Sequence, residues 1–253
     1  MAAMVEIVGQ DTALSVIDAA LSSGRMHHAW IFHGPPGVGK FTTATWMARR
    51  LLCPNAAADS NGRISACGEC RSCQLIDNPD TAHPDLHVVT KELALYSDDA
   101  KVRNRKLISI PRGVVDDHLI IPAFRSSQLR HGKVFIVDEA ELLEEVSQNL
   151  MLKTLEEPPA STYLVLVTAF ENRLLPTIRS RCQRVAFELI DDDLIRERLP
   201  SQAHEVGAMF EQRREEIEQQ KKSKARDEKL AQVDHRIGGL KMSDEQMDKV
   251  IRL

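Results

Sequence analysis

A short apolar run meets a glycine-rich turn and then a helical pattern, and that junction restricts the fold more than any other stretch of the chain. Ala29-Trp30-Ile31-Phe32-His33 reads as a strand. Gly34-Pro35-Pro36-Gly37-Val38-Gly39-Lys40 follows and fits G-x-x-x-x-G-K. Ala44, Met47, Ala48, Leu51 and Leu52 then recur at helical spacing across residues 42–52. Strand, glycine loop and helix in this order make a phosphate cradle. The glycines let backbone N–H groups turn inward, and the lysine reaches the outer phosphates of a nucleotide. The position after the lysine is discordant. It ordinarily carries a hydroxyl that ligates Mg²⁺, and here it is Phe41. Thr42 has a hydroxyl, but one helical position further on it lies about 100° around the axis. The expectation is binding of ATP or ADP with a weakened role for Mg²⁺, and slow or absent hydrolysis.

A glycine turn alone can be merely structural, so a second element matters. Val134-Phe135-Ile136-Val137 is a buried strand that ends on Asp138-Glu139. In nucleotide hydrolases such an Asp holds the Mg²⁺ shell and the Glu orients the attacking water. An acidic pair at a helix N-terminus is the plainer alternative.

Further strands are expected at Leu86–Val89, Tyr163–Val167 and Val185–Phe187. Helices are expected at 11–24, 122–132 and 141–157, with a short one from Leu174. Residues 91–118 show no clear organisation. Fully apolar strands alternating with helices predict an α/β fold: a mostly parallel sheet flanked by helices. From about residue 200 the chain changes character. Residues 211–229 are dense in charge and read as a solvated helix or arm, broken at Gly238-Gly239 before a short helix from Ser243.

Four of the five cysteines, Cys53, Cys67, Cys70 and Cys73, are spaced C-x13-C-x2-C-x2-C. Four thiolates fill the tetrahedral shell of Zn²⁺ and leave no open position, which predicts a structural site. Free thiols, or an iron–sulfur cluster, are the alternatives. Cys182 stands apart and reads as a packing residue. The net charge of −4 places any nucleic-acid role on local patches or partners, and 4% aromatic residues argue against a base-stacking platform. No apolar run approaches the ~18 residues of a membrane span, and no signal peptide is read at the N-terminus, so a cytoplasmic protein without membrane contact is expected.

Taken together, the phosphate loop, the cysteine cluster, His83-Pro84-Asp85, Val137-Asp138-Glu139-Ala140, Leu155-Glu156-Glu157-Pro158-Pro159 and Ser180-Arg181-Cys182 resemble a known family. They resemble bacterial clamp-loader subunits, the delta-prime and gamma/tau subunits of the DNA polymerase III holoenzyme within the AAA+ superfamily. The resemblance covers roughly residues 5–190. It implies an AAA+ domain over 1–190 with a zinc module inserted at 53–73, and a short helical C-terminal segment over 191–253. It places Val8 and Gly9 near the adenine, Gly34, Gly37, Gly39, Lys40, Thr42 and Asp138 around the phosphates, and Thr168 as the sensor of the γ-phosphate. Glu139 would be the residue that handles water, and Arg181 an arginine finger reaching into a neighbouring subunit. Delta-prime members often pair a degraded phosphate loop with an intact finger, and Phe41 with Arg181 reproduces that combination.

The resemblance also implies partners: gamma/tau and delta subunits, and through them the sliding clamp and primer-template DNA. Residues 200–253 carry no convincing lid motif and leave no length for a collar, so a truncated or divergent member is expected. An active gamma/tau-type ATPase, and a zinc-stabilised nucleotide-binding regulator outside replication, are the competing functions.

Overall fold

Alternate residues along each central strand feed two separate cores, which is why these strands read as unbroken apolar runs. A computed structural model describes residues 7–59, 62–78, 81–104, 106–191 and 193–194. The segments expected at 211–229, Gly238-Gly239 and Ser243 onward lie outside these residues. Strands β1 (Ala29–His33), β4 (Leu86–Val89), β5 (Lys133–Val137), β6 (Thr162–Thr168) and β7 (Gln183–Ala186) form one sheet in the order β4-β5-β6-β1-β7. Every pairing in it is parallel. The remaining strands, β2 (Ala57–Ala58) and β3 (Ile64–Ser65), form a small antiparallel hairpin.

Trp30 and Phe32 of β1, Val134 and Ile136 of β5, and Val165 and Val167 of β6 face one core. It is closed by helix α1 (Asp11–Ser22) through Ala13 and Ile17, and by α2 (Lys40–Leu52) through Ala44, Met47, Ala48 and Leu52. The intervening residues Ala29, Ile31, Phe135, Val137, Leu164 and Leu166 face the other core. There most of the covering elements are short, α7 excepted. Helix α3 (Arg71–Asp77) belongs to the cysteine module and α4 (Ala100–Arg103) to the following excursion. Helix α5 (Arg112–Val115) runs through a π turn, Asp116–Ile120, into α6 (Ile121–Ala123). Helix α7 (Glu145–Glu156) and α8 (Pro176–Arg179) complete this face through Met151, Leu155 and Ile178.

The helix expected at 122–132 is not formed. Its helical stretch ends at Ala123, and two buried charges outside the segment explain why. Lys133, only 5% exposed, directs its ammonium to the carbonyls of Pro122, Ala123 and Arg125 and so caps the preceding turn. The carboxylate of Asp85, 2% exposed, accepts the N–H groups of Gln128 and Leu129, both at 2.7 Å. The loop exchanges helical hydrogen bonds for tertiary ones that no local pattern announces. Replacing Asp85 by Ala leaves both N–H groups without a buried acceptor. The expected loss is about 3 kcal/mol of unfolding free energy, from roughly 1–3 kcal/mol per orphaned group. Urea denaturation of Asp85→Ala against the parent chain reads it; a loss under about 1 kcal/mol would contradict the assigned role.

Candidate nucleotide-binding site and metal centre

The carboxyl ends of β1, β5 and β6 open into one cavity of about 360 Å³. In open parallel sheets this is the edge where ligands bind, because loops and helix N-termini converge there. The cavity is lined by Gly37, Gly39, Lys40, Phe41 and Thr42 from the loop and α2. Asp138, Glu139 and Glu141 line it from the end of β5, and Thr168 and Ala169 from the end of β6.

The loop residues are glycine for two different reasons. Gly37 and Gly39 take φ of 82° and 90°, and nothing lies within 4 Å of where a Cβ would stand. They are needed for the left-handed backbone that turns N–H groups toward an anion. Gly34 is needed for proximity as well: a Cβ there would fall 2.1 Å from the carbonyl oxygen of Phe187. Helix α2 follows Gly39 as its N-cap residue, without a side-chain cap and without an acidic residue in its first turn. Its N-terminal N–H groups are therefore open to a phosphate. These features fit a nucleotide's phosphates.

Lys40 is only 7% exposed and folds back on the loop, donating to the carbonyls of Gly34 at 2.6 Å and Pro35 at 2.5 Å. Burial pulls its ammonium below the ordinary lysine value, opposed first by Glu141 and then by Asp138. Burial likewise raises the Asp138 carboxyl; the N–H of Glu139 opposes the shift, while the nearby Glu139 and Glu141 reinforce it. Glu139 sits in the left-handed region at φ 48° and its carboxylate pairs with Lys91 Nζ at 2.5 Å. Thr168, 1% exposed, uses Oγ1 to accept the N–H of Phe170 at 3.0 Å. Phe41 is 38% exposed and presents an aromatic ring where the pattern calls for a hydroxyl. Thr42 lines the cavity beside it, whereas Thr43 is buried and turns its hydroxyl back to the Gly39 carbonyl at 2.9 Å.

The cavity thus gathers Gly37, Gly39, Lys40, Thr42, Asp138, Glu139 and Thr168 from the expected residues. Gly34 stands behind the lysine it accepts from. Val8 and Gly9 are half-buried and do not line the cavity. The adjacent Gln10 instead ties the chain to the segment after β7, bonding Glu188 through its Nε2 at 2.9 Å and its Oε1 at 3.2 Å. Glu141 lines the cavity and Lys91 pairs with the lining residue Glu139; neither was anticipated from sequence. Each is a charged residue just past a strand, a pattern shared with solvated loops.

Arg181 lies apart from the cavity, in the turn between α8 and β7. It pairs with Glu156 at 2.5 Å and donates to the Thr177 carbonyl at 2.9 Å. An ion pair this exposed contributes about 0–1 kcal/mol, so it is readily exchanged for another partner. Cys182 packs against the core beside it, and burial pushes its thiol up to about 12, leaving it a neutral anchor.

The four clustered cysteines converge. Their Sγ atoms all lie within 4.8 Å of one another, with Cys53–Cys67 at 3.6 Å and Cys53–Cys70 at 3.9 Å. A tetrahedral ion with Zn–S bonds of ~2.3 Å requires sulfur separations of about 3.8 Å, so the set can hold a metal ion and suits zinc. The β2–β3 hairpin returns the chain so that Cys67 meets Cys53 at the end of α2, and α3 starts at Cys70. Backbone N–H groups point at three sulfurs: Cys67 at Cys53, Cys70 at Cys67, and Cys73 at Cys70. The N–H of Cys70, then that of Glu69, lowers the exposed Cys67 thiol to about 6. Burial pushes Cys53 and Cys73 up. A cation held by Cys53, Cys67, Cys70 and Cys73 would supply the positive charge that keeps all four as thiolates.

A family model described as DNA polymerase III, delta subunit, matches residues 9–191. The chain belongs to this family, the AAA+ clamp-loader family of DNA polymerase III. Its relatives carry more than one subunit name. A DNA polymerase III subunit delta' from Pseudomonas aeruginosa is 36% identical over 162 residues, 64% of this chain and 43% of the relative. A DNA polymerase III subunit gamma/tau from Mycobacterium tuberculosis is 31% identical over 212 residues, 83% of this chain and 33% of the relative. The matched region is thus less than half of either relative's length. Among solved structures, a gamma subunit-related protein from Thermotoga maritima aligns with a TM-score of 0.44 at 18% identity, covering 75% of this chain and 49% of that one. No helix among the described residues of this clamp-loader family member is long and apolar enough to cross a membrane.

Proposed function

We propose that the chain acts as a delta-prime-type subunit of the clamp loader. In this reading it binds nucleotide weakly, turns over little or none, and contributes Arg181 to a neighbouring ATPase subunit. The observation that carries the proposal is Phe41 inside an otherwise assembled phosphate cavity. With no hydroxyl at that position, the cation that neutralises charge on a transferring phosphate loses a protein ligand. Glu139, the residue that would orient water, is held by Lys91. Arg181, by contrast, sits in an exposed turn on a weak ion pair, available to a partner's site. Its work there would be to neutralise charge developing on the γ-phosphate. The AAA+ domain would span residues 1–190, with 191–253 as an appended segment and Zn²⁺ held by Cys53, Cys67, Cys70 and Cys73. Gamma/tau and delta subunits would be its direct partners, with the sliding clamp and primer-template DNA reached through them.

The retained Lys40, Asp138 and Glu139 favour a second reading, an active gamma/tau-type ATPase. Turnover separates the two. The purified chain alone should hydrolyse ATP no faster than its Lys40→Ala variant. A Lys40-dependent rate in the absence of partners would reject the delta-prime reading in favour of the gamma/tau one.

A further inference from the structure

One carboxylate in the cavity belongs to neither the phosphate loop nor the acidic pair. Glu141 lies in the 3-10 turn Ala140–Leu142, just past the acidic pair. Its Oε1 accepts the N–H of Ala169, the residue after Thr168, at 3.2 Å. The side chain is thereby pinned across the gap between the ends of β5 and β6. Its Oε2 is buried and has no hydrogen-bond partner among the described residues. Both the carboxylate and the Lys40 ammonium line the same cavity.

The charge balance there is unusual for a phosphate site. Glu139 is taken up by Lys91. Asp138 and Glu141 line the same cavity as Lys40, whose ammonium is held by the Gly34 and Pro35 carbonyls. Of these two, Glu141 attracts the lysine more strongly. In phosphate loops the backbone and its lysine cradle the β- and γ-phosphates, and the strand ends opposite face the terminal one. Glu141 occupies that opposite side with a carboxylate pinned to the Ala169 N–H, and a phosphate brought beside it meets like charge. Phe41 removes a ligand of the cation that would otherwise offset the repulsion.

We infer that Glu141 is a built-in counter-ion for Lys40 on the terminal-phosphate side, so that the cavity selects a nucleoside diphosphate over a triphosphate. This rests on reading the cavity as a nucleotide site, and it names the residue that sets the site's specificity. A diphosphate reaches the glycine loop and the α2 N-terminus without approaching Glu141; a triphosphate brings its last group against it. Neutralising Glu141 while keeping its shape removes the discrimination. The amide oxygen of Gln still accepts the Ala169 N–H, so Glu141→Gln keeps the local fold.

The test is a fluorescence-anisotropy titration of the full chain with fluorescently labelled ADP and ATP, with and without Mg²⁺. The parent chain binds ADP at least tenfold more tightly than ATP in both conditions. Glu141→Gln tightens ATP about tenfold, equivalent to about 1.4 kcal/mol, while ADP shifts less than threefold. Glu141→Ala gives the same collapse of the ratio, and Lys40→Ala weakens both nucleotides. An unchanged ADP-to-ATP ratio in both Glu141 variants overturns the inference and leaves the nucleotide site standing. Equal or tighter binding of ATP by the parent chain, including a Mg²⁺-dependent recovery, also overturns it. Binding of neither nucleotide to the parent or the Glu141 variants rejects the nucleotide site itself, and this inference with it.

Discussion

Stripping the metal from freshly purified protein will unfold residues 53–73 and lower the thermal midpoint of the whole chain by several degrees. The expectation follows from how little else holds the module. Its hairpin strands are two residues each, and Ala57 and Ala58 are exposed. Among the described residues, the polar ties to the domain are individual side-chain bonds, including Arg49 to Asp77 at 2.7 Å, Arg63 to Asp18 at 2.9 Å, Ser72 to His83 at 2.8 Å, Arg50 to the Ile64 carbonyl at 2.9 Å and Ser22 to the Gly62 carbonyl at 3.0 Å. Cys53 and Cys73 are buried thiols whose charged forms burial opposes. Structural zinc at four thiolates contributes roughly 10–16 kcal/mol of apparent binding free energy, which at such sites is folding free energy. The fresh chain should contain one zinc per molecule by elemental analysis. Hydrogen exchange after chelation should lose protection over 53–73 and retain it in β1, β5 and β6. Cys70→Ser should reproduce the loss in part, because three ligands remain. Fresh protein without stoichiometric metal, and with unchanged exchange after chelation, would refute the four-thiolate site.

The second large effect is expected at Arg181. In a loader reconstituted with gamma/tau and delta subunits, Arg181→Ala should cut DNA-stimulated ATP turnover at least tenfold. Arginine fingers accelerate phosphoryl transfer by about 10³–10⁵, and a loader's other sites would dilute the loss of one of them. The substitution removes only an exposed ion pair with Glu156 and a bond to the Thr177 carbonyl, so the thermal midpoint should shift by no more than a degree or two. Loss of activity with a large loss of stability would point to a packing role instead.

The centre of the sheet was legible in the sequence because β1, β5 and β6 are buried on both faces. β4 matches the expected span, and β1 does as well. The expected strands within β5, β6 and β7 differ from the observed ones by a residue or two at their ends. On the face covered by α7 and α8, those two helices fall within the expected segments, but the stretch between β4 and β5 was not legible. Residues 91–118 resolve into a 3-10 stretch, two single-turn helices and part of a π turn, none long enough to show a period. The helix expected at 122–132 fails because Lys133 and Asp85 claim its backbone groups from outside the segment.

The site divides in the same way. Gly37, Lys40 and Asp138 stand out from local strand–loop context, whereas Thr168 was indicated only by the family resemblance. Lys91 reaches Glu139 across 48 positions, and Glu141 reaches Ala169 across 28. No short pattern encodes either contact. Yet these two residues alter the charge of the cavity most: one withdraws a carboxylate from it and the other adds one.

On the proposed delta-prime reading, the chain serves the loader through Arg181 and not through chemistry at its own Lys40. Reconstituted loaders carrying either Lys40→Ala or Arg181→Ala in this subunit alone, compared for DNA-stimulated ATP turnover, test it most directly. The Lys40→Ala loader should run within about twofold of the parent, and the Arg181→Ala loader at a tenth of its rate or less. A loader disabled by Lys40→Ala and indifferent to Arg181→Ala would contradict the claim.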